Sequence, residues 1–285
     1  MTLLKQKNVK NVFKIDKPMQ NNPTLADCLK AGASGVMMPC EHYHQLPGIS
    51  ASALQYLQES NRHFENRKNF SSDSDALRFG NLVHTATLEP DELDKRYVAE
   101  PKFDSRTNAG KLEKQAFYND NSHRIIMAYD DYIKATRMAM NAYAICHEII
   151  DAGIIERSLF SDYGNGIILK CRLDIESPTG DDFDLKTISP KYGMSDHELL
   201  RHSLQFNYHL GCAFRNIVRR SLGIETGDSY LIFVSTLPGY MIKVRRVTPE
   251  LIKQGERICL SLLESRKEYL IYGYDVEPKT IEQFN

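Results

Sequence analysis

The spacing of hydrophobic and polar positions changes along this chain, and each change marks an element. Between Gly166 and Glu176, the apolar Ile167, Leu169, Cys171, Leu173 and Ile175 alternate with Lys170, Arg172, Asp174 and Glu176, the period of a half-buried strand. After the turn-rich SPTGDD the alternation resumes, with Phe183, Leu185 and Thr187 on one side and Asp184 and Lys186 on the other. The two runs predict a hairpin. Pairing that puts the apolar sets on one face brings Asp174, Asp184 and Lys186 together on the opposite face. A strand is expected before the hairpin at 154–161, and two more, SYLIFVSTL and YMIKVRRVT, flank Pro238 and Gly239.

Elsewhere the period is helical. GISASALQYLQESNRHFENRKN opens on a serine cap, and SDSDALRFGNLVHTATLEP is a helix that Pro90 terminates. PKFDSRTNAGKLEKQAF passes from a polar loop into a helix, and the run from Ser122 to Gly153 is one long helix or a helix pair. Ser195 with Glu198 three residues on forms a capping box for a helix lasting to about Gly223, and a last helix spans about 249 to 270. Residues 1–45 show little sustained period and are expected to be an N-terminal extension or arm, leaving 46–285 as the main domain. The order of elements predicts an α/β fold with a central mixed sheet flanked by helices.

Composition narrows the classes. In 285 residues, 36 Lys and Arg balance 37 Asp and Glu, so any attraction for nucleic acid must come from a local basic channel. The six cysteines include no C-x-x-C pair, which argues against a zinc ribbon or iron–sulfur cluster and for reduced thiols. The first 20 residues lack an apolar run of signal-peptide length, and no membrane span is expected. The reading is a soluble, intracellular, cytoplasmic protein.

Two carboxylates on neighbouring strands repel unless a cation lies between them. Asp174, Asp184 and Lys186 therefore suggest a divalent-metal site, with oxygen ligands that suit magnesium or manganese and a lysine able to orient water or stabilise phosphorane charge. A solvated sheet face is the plain alternative. On the 75–88 helix, Leu77, Gly80, His84 and Leu88 share a face, which points His84 inward as a structural histidine or, beside two aspartates, a third ligand. Glu156 precedes the hairpin among apolar residues, in a site role or a surface ion pair.

The spacing D-x9-D-x-K resembles the signature of the PD-(D/E)xK nuclease superfamily, which implies a restriction-endonuclease-like α/β fold, and the order of elements agrees with it. More specifically, GISASALQYLQES, ALRFGNLVHTATLEP, RTNAGK, ERSLF, CRLDIES and FDLKT occur in the order seen in RecE-type exonucleases, the exonuclease VIII family of phages and prophages, related to lambda exonuclease and RecB nuclease domains. The resemblance spans roughly residues 47 to 270. It implies that His84, Asp174 and Asp184 are metal ligands with a contribution from the Leu185 carbonyl, that Lys186 is the catalytic lysine, and that Glu156 is the acidic residue before the hairpin. It implies Mg²⁺ (Mn²⁺ substituting) without ATP; the chain has no G-x-x-x-x-G-K-[ST] loop. It also implies 5′-to-3′ digestion of linear double-stranded DNA, a RecT-type single-strand annealing partner, and a homo-oligomeric ring of three or four subunits.

Arg172 is a plausible phosphate contact, and Arg106 and Lys111 in RTNAGK are further candidates for gripping DNA. Relatives of this type carry Q-x-x-x-Y on the helix after the lysine strand. Here the matching segment has Gly211 and Arg215, or with an offset Gln205 and His209; Arg215 is expected to take over a backbone contact, with Gln205 on a flanking face. A PD-(D/E)xK endonuclease of a restriction or repair system, a decayed DNA-end-binding ring protein and a small-substrate metal phosphatase stand as alternatives.

Overall fold

Thr24 and Asp27 cap each other reciprocally to start α1 (Leu25–Ala31), and a 3-10 turn at 32–34 leads to α2 (Cys40–Gln45). The computed structural model describes residues 22–69, 74–189 and 191–273. The segment expected as an arm is therefore in part helical and packed: Cys28, Val36, Met38 and Tyr43 form a small core with Phe160. Its short helices carry too few turns to show a period, and its first 21 residues lie outside the described residues.

Ser50 caps α3 (Ala51–Glu59), and Ser60 ends it while capping α4 (Asn61–Glu65). Ser74 caps α5 (Asp75–Leu88). Pro90, which has no N–H to leave unpaired at a helix start, opens α6 (Pro90–Arg96) one residue after α5 ends. Two four-residue strands that the periodicity did not predict, β1 (Tyr97–Glu100) and β2 (Ile125–Ala128), pair in parallel around α7 (Asn108–Asp120). β2 runs directly into α8 (Tyr129–Ala152), so the apolar RIIMA reads as the helix it precedes.

The main sheet has the order β3-β4-β5-β6-β7, with β3 (Ile154–Gly164), β4 (Ile167–Glu176), β5 (Asp182–Ile188), β6 (Ser229–Ser235) and β7 (Ile242–Arg246). The β5–β6 pair is parallel and its neighbours antiparallel, the mixed sheet expected. Between β5 and β6 the predicted single helix is two, α9 (Asp196–Gln205) and α10 (Tyr208–Ser221), because Asn207 at φ 55° adopts a left-handed conformation that ends one helix and starts the next. The Ser195–Glu198 capping box is present. α11 (Pro249–Tyr272) closes the chain's described part.

Helices cover both faces. On β6, Leu231 and Phe233 pack with Cys212 of α10 while Ile232 and Val234 pack with Leu82 and Met138 of α5 and α8, the alternation a doubly covered strand requires. On the α10 side, Leu159, Leu169 and Leu173 meet Leu54, Phe214, Val218 and Leu263; each such fully buried side chain contributes roughly 1.5–3 kcal/mol. β4 departs from strict alternation. Leu173 packs on the α10 side, yet Ile175 belongs to the α5 and α8 core. The change of side falls at Asp174, opposite Glu156, whose φ of 60° is in the left-handed region. No helix among the described residues is long and apolar enough to cross a membrane.

Candidate active site

β4 and β5 part almost as soon as they meet. Only Ile175 with Phe183 and Glu176 with Asp182 are paired; beyond them Asp174 Oδ2 accepts the Leu185 N–H at 2.8 Å, a side chain replacing the next rung of the ladder. Farther along, Ile49 takes β4's free edge, donating to Ile168 O at 2.8 Å and accepting from Lys170 N at 2.9 Å. The predicted hairpin is thus a fork. The space between its arms is a cleft of about 710 Å³ whose walls include His84, Glu156, Asp174, Asp184, Lys186 and Arg215.

α5 brings His84 to the fork. Gly80, one turn earlier, lets the helix lie close to β5, since a Cβ there would sit 3.4 Å from Thr187 Oγ1. His84 Nε2 then lies 3.1 Å from Glu156 Oε1 and 3.2 Å from Asp174 Oδ2. Leu77, expected on the same inward stripe, is instead half exposed at the cleft wall. Glu156 is held by Arg172, whose Nε meets its Oε2 and whose Nη1 donates to Met38 O at 3.0 Å. Its backbone strain is of the kind stored at functional sites.

Asp184 belongs to a second set. Its Oδ2 lies 2.6 Å from Lys186 Nζ, and its Oδ1 lies 3.4 Å from Arg215 Nη1. Lys186 also sits above the Tyr208 ring, 5.3 Å from its centre. Burial opposes the Lys186 charge, but Asp184 and Asp174 outweigh it and raise its pKa. Burial likewise works against a charged His84, yet Asp174 and Glu156 bring it up to about 9. Burial pushes Glu156 upward. It would do the same to Asp174, but His84, Lys186 and the Leu185 N–H hold that carboxyl well below its ordinary value.

The three groups His84, Glu156 and Asp174 have ligand atoms within 4.8 Å of one another. A proton on Nε2 is what two facing carboxylates favour, and a divalent cation bonded to all three would take its place. Glu156 Oε1 is buried and receives no hydrogen bond, which fits an atom meant for a cation. An imidazole with two carboxylates can hold a divalent cation, with water completing the shell. Of the expected ligands, His84 and Asp174 converge with Glu156. Asp184 stands beside them but is occupied by Lys186 and Arg215, and Leu185 contributes the N–H that fixes Asp174.

The expected DNA contacts fare differently. Arg172 is committed to Glu156 and Met38, with Nη2 3.7 Å from Glu89, so it braces the site rather than presenting a free guanidinium. Arg215 lines the cleft but is buried, donating from Nε to Asp182 Oδ2 at 2.7 Å. It is neither a freely reaching phosphate grip nor an exposed arginine. Gln205 is exposed at the end of α9 and Arg106 is exposed and paired with Asp104. Lys111 borders a separate shallow depression with Lys114 and Tyr118. None of these three lines the cleft. Tyr208, Gly211 and Arg215 stand at i, i+3 and i+7 of α10 and so line it together on one face.

Sequence reasoning missed Tyr208, whose three- and seven-residue spacing from Gly211 and Arg215 was the available signal, and passed over Asp182 because it closes the turn-like SPTGDD. Asp182 is in fact the first residue of β5, two before Asp184, so the period-2 rule extended by one step places it on the same side.

Among solved structures, the chain is similar to a candidate exonuclease from Eubacterium rectale at 14% identity over 88% of this chain and 92% of that one, with a TM-score of 0.59, a likeness of fold. A second structure, SSO0001, aligns at 9% identity over 70% of this chain and 96% of that one with a TM-score of 0.29. No curated protein matches significantly. The family model that does match, over residues 48–259, takes in the helix of His84, the strand of Glu156, the whole fork and the α10 wall. The chain belongs to the family of PDDEXK-like domains of unknown function, DUF3799.

Proposed function

We propose that this protein is a divalent-metal-dependent, ATP-independent 5′-to-3′ exonuclease on linear double-stranded DNA, leaving 3′ overhangs for a RecT-type annealing protein. The observation that carries this reading is the meeting of His84, Glu156 and Asp174 beside the Asp184–Lys186 pair in one open cleft. The order of RecE-like motifs in the sequence supports the exonuclease class.

His84 Nε2, Glu156 Oε1 and Asp174 Oδ2 would hold the Mg²⁺ or Mn²⁺ ion. When bound, the ion supplies Lewis-acid polarisation of a phosphate oxygen and a bound water of lowered pKa. Arg172 keeps Glu156 from swinging away, and the Leu185 N–H keeps Asp174 turned toward the cleft. Lys186, charged and anchored by Asp184, donates to a non-bridging phosphate oxygen or to the attacking water. Tyr208 limits where its ammonium can go. A ring of three or four subunits around the duplex is part of the proposal and would account for processive digestion without ATP.

Linear and nicked-circular plasmid incubated with the protein and Mg²⁺ test the reading. Loss of linear DNA alone, with a 5′-labelled end released first, is the expected result. Digestion also proceeds with Mn²⁺ and little with Ca²⁺, whose looser coordination aligns an in-line attack poorly. Cutting of covalently closed circles would replace the exonuclease with an endonuclease.

A further inference from the structure

Asp184 is the acid that D-x9-D-x-K would make a metal ligand, yet both of its oxygens already face a cation. Lys186 Nζ lies 2.6 Å from Oδ2 and Arg215 Nη1 lies 3.4 Å from Oδ1. Arg215 is held there from behind: its Nε is 2.7 Å from Asp182 Oδ2, its Nη2 contacts Cys212 Sγ at 3.4 Å, and its side chain is 8% exposed. Asp182 is fully buried. Gly211, one turn before Arg215 on α10, leaves the space a side chain would otherwise take, with a Cβ there reaching 3.6 Å from Nη1. The guanidinium is thus a fixed, buried charge between two aspartates of one strand.

We infer that Arg215 is a built-in substitute for a second divalent cation, so that this site takes one metal ion, on His84, Glu156 and Asp174. The inference deepens the metal-nuclease reading above and rests on it.

A second ion held by Asp184 would have to displace Lys186 or Arg215 from the oxygen that each faces. A second ion beside Asp184 would also lie next to two fixed positive charges in a site partly closed to water, where like-charge repulsion is poorly screened. Charge balance points the same way. Glu156 pairs with Arg172, which also faces the Arg96-paired Glu89, and Asp182 and Asp184 pair with Arg215 and Lys186; with Asp174 the set is five carboxylates against four fixed cations. One divalent ion brings the set to a single positive charge, which one phosphodiester neutralises; two would leave it strongly positive. An always-protonated guanidinium serves as such a fixed charge where an ammonium would shed its proton more easily.

Mn²⁺ titration of the full chain, followed by the electron paramagnetic resonance of free Mn²⁺, reads the stoichiometry directly. One Mn²⁺ per chain is expected; two of comparable affinity overturn the inference while leaving the nuclease reading intact. No bound Mn²⁺ removes the metal-centre reading itself. In Arg215→Met, with folding checked by circular dichroism, Asp184 Oδ1 is released while Lys186 keeps Oδ2, and a second Mn²⁺ is expected, lost again when Asp184→Asn is added. Arg215→Lys, which keeps the charge, is expected to stay at one. A folded Arg215→Met that still binds one Mn²⁺ would also overturn the inference. If Arg215→Met does not fold, the parent stoichiometry decides.

Discussion

Asp174 and Glu176 stand two residues apart on β4, and their surroundings differ in kind. Glu176 lies between two arginines, Arg157 on Oε2 and Arg219 on Oε1 at 2.9 Å, in a pocket that leaves it 3% exposed. Arg157 is anchored in turn by the carbonyls of Ala33 and Ser34, and Arg219 by that of Gly180. Both oxygens of Glu176 are taken by fixed guanidinium groups, so the cluster is a clamp that ties β3, β4, α10 and the 32–34 turn together. Asp174 is 15% exposed, shares one imidazole nitrogen with Glu156 and borders a cleft. Its cluster is short of positive charge and open to solution. Charged residues on a strand are therefore weak evidence of a site by themselves; an incomplete set of partners facing a cleft is stronger evidence.

Substitutions at the two positions should separate sharply. Asp174→Ala and Lys186→Ala should lower the Mg²⁺-dependent digestion rate by roughly 10²–10³-fold or more with melting temperatures near the parent's. A folded variant digesting DNA at the parental rate would remove that residue from the chemistry. Glu176→Ala should act on stability instead. It strands two buried guanidinium groups, a loss of about 3–5 kcal/mol, visible as a lower denaturation midpoint, while the fraction that remains folded digests DNA normally. Equal stability of Glu176→Ala and the parent would show that the clamp is not a clamp.

Arg172 sits between the two cases, buried like the clamp but touching a ligand. Arg172→Met should weaken Mn²⁺ binding about 10–100-fold, the usual cost of losing a residue that orients a ligand, and isothermal titration measures it directly. An unchanged affinity would mean that Glu156 is placed by its backbone alone.

The smallest effect concerns Lys170, the first charged side chain of β4. Its ammonium donates to the carbonyls of Tyr43 and Leu46 at 2.8 and 2.6 Å, and burial lowers its pKa from an ordinary 10.5 to about 8. The folded protein then sheds this proton before the unfolded chain does, so the burial penalty is full below pH 8 and is relieved as pH rises toward 10.5. The stability of the parent relative to Lys170→Met should increase across that window in denaturant titrations. A flat difference would place the ammonium in a better solvated position than its contacts indicate.

Much of the fork was legible in the residues. β4 and β5 alternate apolar with charged residues, the covalent period of a strand, and a serine with a glutamate three residues on starts α9 by local hydrogen bonding alone. Asp184 and Lys186 share a side for the same local reason, and the stripe through Gly80 sets His84 on the face of α5 nearest β5. The packed segment at 22–46 was not legible, since its short helices are stabilised by contact with β3 and β4, more than a hundred residues away. Nor was the break at Asn207, where a non-glycine residue adopts a left-handed conformation that a helical pattern reads through.

Sequence alone determined which side chains carry charge, which strand or helix each stands on and which face it shares with its neighbours, because these follow from covalent spacing and local periodicity. Only tertiary structure decided which charges became permanent pairs and which stayed available. The parting of β4 from β5, the left-handed turn at Glu156 and the approach of α10 set the distances between residues far apart in the chain. The strength of an ion pair, and the burial that makes it matter, depend on those distances.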